Sequence, residues 1–301
     1  MTSEETSIEY SNYSYESSSS LSTDESIEIT EITEINNQTP KILHQTWKSK
    51  DLLPKFIEWQ KMWLDMCPDY KYKFYTDEHL IQVFKNHLPQ YLESFKSFAK
   101  QIERVDFWRY AILYVYGGVY ADMDVFPLKS IDCWLEKNKI ILGKEPLEHS
   151  RIYDGTDFMI CNAFMISPKG EKFWLELMDF IIANYSPDSS PVRTTGPGII
   201  TNFYYKHPEK FCNVIITEPE CFFPLTAGKT NKFQIYKGKV FKNVSKFCNV
   251  KKAFVVHMWE GTWAQLPSWG ITLIGYGFVI IILILILFSF AIGMGYTNYS
   301  N

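Results

Sequence analysis

The chain has 301 residues, room for one large domain with extensions, and 17 % of them are aromatic. Its formal charge of −4 hides an asymmetry: residues 1–40 carry nine acids and no Lys or Arg, so with −9 there the remainder stands at +5. A mildly basic body suits an anionic small ligand or a membrane surface and argues against a nucleic-acid partner, while six scattered cysteines without Cys-x-x-Cys argue against a zinc site and for reduced thiols.

Residues 1–38 are rich in Ser, Thr and Glu, with Ser17 to Ser20 in a row. Too few large apolar side chains are present to offset the entropy of ordering, which predicts a disordered acidic tail. It lacks the apolar run of a signal peptide. A folded domain is expected over 39–268. Lys41 to Trp47 reads as its first strand. Pro54 to Met66 has apolar residues at helical spacing, Tyr70 to Tyr75 alternates as a strand does, and Thr76 caps the next helix. Leu80 to Lys100 reads as two short helices around Pro89.

The central stretch follows. Asp106 to Tyr116 has helical spacing, Gly117-Gly118 is a turn, Val119-Tyr120 is strand-like, and Asp122-Met123-Asp124 closes the run. Residues i and i+2 of a strand share a face, so the two carboxylates converge at a strand end or across the turn after it. Two hard oxygen ligands so placed suit Mn²⁺ or Mg²⁺ holding phosphates. Asp106 and Arg109 share a helical face at i, i+3. Helices alternating with strands predict an α/β fold with a mainly parallel central sheet, which binds ligands beyond the carboxyl ends of its strands. Trp47 and the Asp pair both fall at such ends.

Arg104, Asp106, Arg109 and Tyr110, followed by Gly117, Gly118, Tyr120, Asp122 and Asp124, resemble the sugar-binding DXD region of glycosyltransferase family 32. That family includes initiating α-1,6-mannosyltransferases and inositol phosphoceramide mannosyltransferases. The resemblance implies a GT-A-type nucleotide-sugar-binding fold and a metal-dependent retaining glycosyltransferase, with Asp124 and Asp122 on the cation. It implies that Asp106 and Arg109 hold donor-sugar hydroxyls, beside Tyr120 and Asp122. The Ile42-x-His44-Gln45-x-Trp47 segment resembles the family's first strand and makes Trp47 a candidate to stack on the donor base; a core-filling role is the alternative.

Further along, Ile140 to Gly143 and Asn162 to Ser167 read as strands, and Glu171 to Asn184 as a helix. By resemblance Asn162 touches the donor sugar. Thr194 to Gly198 reads as an irregular loop similar to the family's T-G-P loop, and Ile199 to Tyr205 as a helix. Cys221 to Leu225 resembles the family's apolar strand before its last motif. Val255-x-His257-x-Trp259-x-x-Thr262-Trp263 is similar to that motif. It makes His257 a candidate metal or diphosphate ligand, with Thr262 and Trp263 as phosphate donors.

From Gly261 to Asn301 there is no charged residue. Ile271 to Phe290 is about 30 Å long as a helix, which predicts a transmembrane helix within 269–296 and a short tail at 297–301. That position predicts a single-pass C-terminal anchor with a cytosolic catalytic domain; an ER or Golgi lumenal domain is the alternative. The resemblance favours GDP-mannose as donor, leaves UDP-sugars open, and implies a lipid or glycan acceptor at a membrane. Two other readings stand beside it: a non-catalytic, membrane-tethered nucleotide-sugar-binding protein, and a metal-dependent phosphoryl or nucleotidyl transferase. Neither gives Asp106 and Arg109 together with the His257 segment a task.

Overall fold

A computed structural model of the chain describes residues 38–226 and 248–262. In order these form β1 (Ile42–Thr46), α1 (Pro54–Met66), β2 (Lys71–Tyr75), α2 (Asp77–His87), α3 (Leu92–Ser97), α4 (Gln101–Tyr116), β3 (Gly118–Ala121), β4 (Val125–Pro127), α5 (Asp132–Leu135) and β5 (Ile140–Lys144). Then come α6 (Leu147–Asp154), β6 (Ile160–Ser167), α7 (Lys172–Asn184), α8 (Pro191–Thr194), α9 (Pro197–Lys206), β7 (Val214–Thr217), α10 (Pro219–Phe222) and β8 (Val255–His257).

Six strands make one sheet in the order β2-β1-β3-β6-β5-β7. β2, β1 and β3 run parallel, as do β5 and β7, and β6 alone runs against its neighbours. The result is the mainly parallel central sheet expected. Its inner strands β3, β5 and β6 are buried on both faces, while the edge strands β2 and β7 are partly exposed. Tyr120, Met165, Ile140 and Leu142 face one core with α2, α4, α7 and α9. Their strand neighbours Val119, Ala121, Ile166 and Ile141 face the other core, with Trp63 of α1 and Phe222 of α10. α4 lies inside the helical layer, and Phe107 through Leu113 are all buried.

The turn from α4 into β3 needs its two glycines. Gly117 has φ +65° and Gly118 φ +94°. A Cβ at Gly118 would sit 2.4 Å from the Ile42 carbonyl oxygen, and one at Gly117 2.6 Å from the Lys169 nitrogen. β3 therefore lies against β1 at backbone distance, with Val119 opposite Leu43.

A second, two-stranded ribbon pairs β4 with β8 antiparallel, Val125 opposite His257. Trp63 of α1 donates its indole N–H to the Val125 carbonyl at 2.8 Å and ties the ribbon to that helix.

Two expectations are corrected. Cys221 to Leu225 is not a strand: Pro219 at the first helical position starts the turn α10, and the strand at this point is the earlier Val214–Thr217. Thr194 to Gly198 is not wholly irregular, because Pro191 and Pro197 each open a helix there. Among the described residues no helix is long and apolar enough to cross a membrane. The expected span at 269–296, the tail at 297–301, Trp263 and the acidic tail up to residue 37 lie outside the described residues.

Candidate active site

The site begins where β3 ends. Asp122-Met123-Asp124 forms the tight turn between β3 and β4, closed by the Val125 N–H donating to the Asp122 carbonyl at 3.0 Å. The turn is held from outside: the Asp122 N–H donates to the Ala163 carbonyl at 2.8 Å, and Gln45 Nε2 donates to the Asp122 carbonyl at 3.2 Å. β8 then delivers His257 beside Asp124. His257 Nε2 lies 3.3 Å from Asp124 Oδ2, and the Glu260 backbone N–H donates to the same oxygen at 2.8 Å. Asp122, Asp124 and His257 each offer one ligand atom, and these lie within 4.8 Å of one another. Two carboxylates and an imidazole form a donor set that fits a divalent metal ion. His257 Nδ1 is buried and has no hydrogen-bond partner.

Beside this triad lies a buried ionic network on α4. Arg109 is 3.2 Å from Asp106 Oδ1 and 3.2 Å from Asp122 Oδ1, so one guanidinium bridges two carboxylates. It also donates to the Asn162 carbonyl at 2.9 Å and lies 4.7 Å over the Tyr120 ring. The Asn162 amide donates to Asp106 Oδ1 and to the Tyr110 hydroxyl, both at 2.9 Å, and the Thr195 hydroxyl donates to Asp106 Oδ2 at 2.9 Å. Tyr110 donates onward to the Thr195 carbonyl at 2.7 Å, and Tyr120 to Asp122 Oδ1 at 2.6 Å. Such networks are worth most when every member is satisfied.

The electrostatics follow from burial and pairing. Burial pushes the Asp106 carboxyl up to about 6, against the pull of Arg109, Thr195 and Asn162. Burial also raises Asp122, opposed by Arg109 and assisted by the like charge of Asp124. For Asp124 burial loses: the attraction of His257 and the Glu260 N–H hold it below the usual carboxylate range. Burial would lower His257, but Asp124 carries it above the ordinary imidazole value. One carboxylate is thus held ionised at the centre, while its neighbour is strained toward the neutral form and gains from any added cation.

The structure brings together Asp106, Arg109, Tyr120, Asp122, Asp124, Asn162 and His257. Trp47 sits apart at the end of β1, edge-on to Phe56 at 4.7 Å, with its indole N–H buried and unpartnered. Thr262 is exposed at the edge of the described residues. Sequence reasoning attached no role to Thr195 or Tyr110, although both stand in the quoted motifs. It also assigned none to Trp259, whose ring centroid lies 4.0 Å from each of two imidazole rings. Trp259 has φ +56°, a left-handed conformation that costs a bulky residue about 1–3 kcal/mol.

Comparison with known proteins agrees with this geometry. The family described as "Glycosyltransferase sugar-binding region containing DXD motif" matches residues 54–141. Inositol phosphoceramide mannosyltransferase 3 of Schizosaccharomyces pombe is 31 % identical over 208 residues, covering 66 % of this chain and 54 % of that protein. A mannosyl phosphorylinositol ceramide synthase of Saccharomyces cerevisiae is 45 % identical over 85 residues, covering 28 % of this chain and 22 % of its own. The initiation-specific alpha-1,6-mannosyltransferase of Candida albicans is 26 % identical over 220 residues, covering 61 % of this chain and 56 % of its own. The chain thus spans at most about half of the length of these relatives. With the Asp pair, the Arg109 network and the matched sugar-binding region in one place, the chain carries the sugar-binding region of the DXD-containing glycosyltransferases and resembles their mannosyltransferase members.

Proposed function

We propose that this chain is a metal-dependent, retaining hexosyltransferase that moves mannose from a nucleotide sugar to a lipid-linked or glycan acceptor at a membrane. The observation that carries the reading is the convergence of Asp122, Asp124 and His257 beside Arg109 and Asp106. Cleaving a glycosyl phosphate builds negative charge on the departing diphosphate. A cation held by Asp124, Asp122 and His257 would supply Lewis-acid stabilisation there. The chain's own residues do the rest. Arg109 fixes Asp122 in place, and Asp106 and Asn162 present a hydrogen-bonded wall for the sugar hydroxyls. Tyr120 orients Asp122. Thr262 and Trp263 are the hydrogen-bond donors this reading assigns to the phosphates.

GDP-mannose is the favoured donor, since relatives are named mannosyltransferases, and two of the three named above act on inositol phosphoceramide by their names. Mn²⁺ is the favoured cofactor, with Mg²⁺ next. The proposed catalytic unit is residues 39–268, held at a membrane by the apolar segment within 269–296. The deciding experiment is donor hydrolysis: the chain is incubated with GDP-mannose, UDP-glucose and UDP-galactose, each with Mn²⁺ and with chelator. Slow, Mn²⁺-dependent release of mannose from GDP-mannose is expected. Release from no nucleotide sugar, while nucleoside triphosphate is cleaved, would replace this reading with phosphoryl transfer.

A further inference from the structure

The cluster beyond His257 has no task in the chemistry above. Trp259 lies with its ring centroid 4.0 Å from that of His257 and 4.0 Å from that of His149. Its indole N–H donates to the Leu225 carbonyl at 2.7 Å. His149 in turn lies 3.8 Å from Glu145, which stands just past the carboxyl end of β5. Glu145 and His149 are both buried. The indole is therefore anchored at one edge by a hydrogen bond and packed against two imidazoles, tilted 49° and 38° to it.

The backbone of the same residue turns the chain. The Met258 N–H still pairs with the Asp124 carbonyl at 2.9 Å, as in an extended ribbon. At Trp259 the positive φ bends the chain, and the next N–H, that of Glu260, points back to Asp124 Oδ2. His257 Nε2 meets that same oxygen. Both contacts thus fall on one oxygen of Asp124. A bulky residue in this conformation is uncommon, and such outliers persist where surrounding structure over-determines them.

We infer that Trp259 is a positioning residue for the cation site: its ring, braced by the Glu145–His149 pair, fixes the His257 imidazole so that Asp124 and His257 present their ligand atoms together. This rests on the metal reading proposed above. Groups that orient a ligand from behind typically govern metal affinity by about 10–100-fold.

The test separates ring from backbone. Glycine adopts the left-handed conformation without cost, so Trp259→Gly removes the ring while leaving the turn accessible. Trp259→Phe keeps an aromatic face and loses only the bond to Leu225. Mn²⁺ binding by the full chain is read from the electron paramagnetic resonance signal of free Mn²⁺, with folding checked by circular dichroism. The expected result is a dissociation constant raised about tenfold or more in Trp259→Gly. Trp259→Phe and His149→Phe should stay within about threefold of wild type, and His149→Ala should fall between. Unchanged affinity in folded Trp259→Gly would overturn the role, as would an equal loss in Trp259→Phe. Should Trp259→Gly not fold, the pair Trp259→Phe and Trp259→Leu decides in the same way, with loss in Leu alone expected. No Mn²⁺ binding by the wild-type chain would instead overturn the metal reading itself, and the positioning role with it.

Discussion

Arg109 and Asp122 stand 3.2 Å apart, joining the largely buried helix α4 to the turn that carries the acidic pair. Because Arg109 also holds Asp106, removing it strands two carboxylates at once. Breaking a buried ion pair from one side costs about 3–5 kcal/mol. Arg109→Met is expected to lower stability by about that much, read from urea unfolding. Arg109→Lys cannot bridge both carboxylates with a planar fork and should lose donor hydrolysis while recovering part of the stability. A loss under about 1 kcal/mol in Arg109→Met would show that the network does not bear on the fold.

Asp124→Asn should leave the fold intact and cut donor hydrolysis by about 10²–10³, the usual cost of one oriented electrostatic contact at a reacting centre. The amide keeps an oxygen for Glu260 N–H but loses its charge toward the cation and His257. Near-normal turnover at saturating Mn²⁺ would remove Asp124 from the metal.

His44 predicts acid sensitivity away from the active site. Its Nε2–H donates to the Gly117 carbonyl at 2.9 Å, and Nδ1 accepts from Tyr75 at 3.1 Å, so the neutral ring is satisfied. Burial drives its pKa from 6.5 to about 4. A folded value below the unfolded one gives stability that is complete above about pH 6.5 and is lost as pH falls toward 4, about 3 kcal/mol in all. Asp106, pushed up to about 6 by burial, slopes the opposite way, so the comparison must be between proteins. Urea midpoints from pH 7.5 to 4.5 should fall more steeply for wild type than for His44→Gln. Parallel profiles would refute the assignment.

Gly118→Ala is expected to destabilise by about 2 kcal/mol or more, since the added Cβ meets a backbone oxygen at 2.4 Å in a left-handed conformation. Gly155→Ala meets nothing within 4 Å and serves as the control for φ alone. Equal melting temperatures for the two variants would show that β3 and β1 can separate without cost.

Arg109, Asp106 and the Asp pair were legible because they lie within one short run of chain, where helical and strand spacing dictate which side chains share a face. His257 was found through its motif, not through geometry. What spacing could not give is the partner of β8. A three-residue strand carries too little pattern to name its neighbour, so the turn Asp122–Asp124 was read without β4 behind it. Thr195 stayed without a role because its hydroxyl acts across 89 positions. Trp259 was missed for another reason. Nothing in a tryptophan announces a left-handed backbone, since sequence signals for that conformation rest on glycine and asparagine. Cys221 to Leu225 misled because an apolar run fits a buried strand and a helical turn equally well.

The β4–β8 ribbon makes Asp124 and Glu260, 136 positions apart, share one hydrogen bond. Closing so long a loop is among the larger entropic demands in the chain. A cation seated between the Asp turn and His257 would act as a reversible crosslink across it, tightening a junction whose strand ladder is three paired residues long. At a concentration 100 times its dissociation constant, such a ligand adds about 2.7 kcal/mol to the folded state. Cofactor supply would then regulate the lifetime of the protein as well as its turnover.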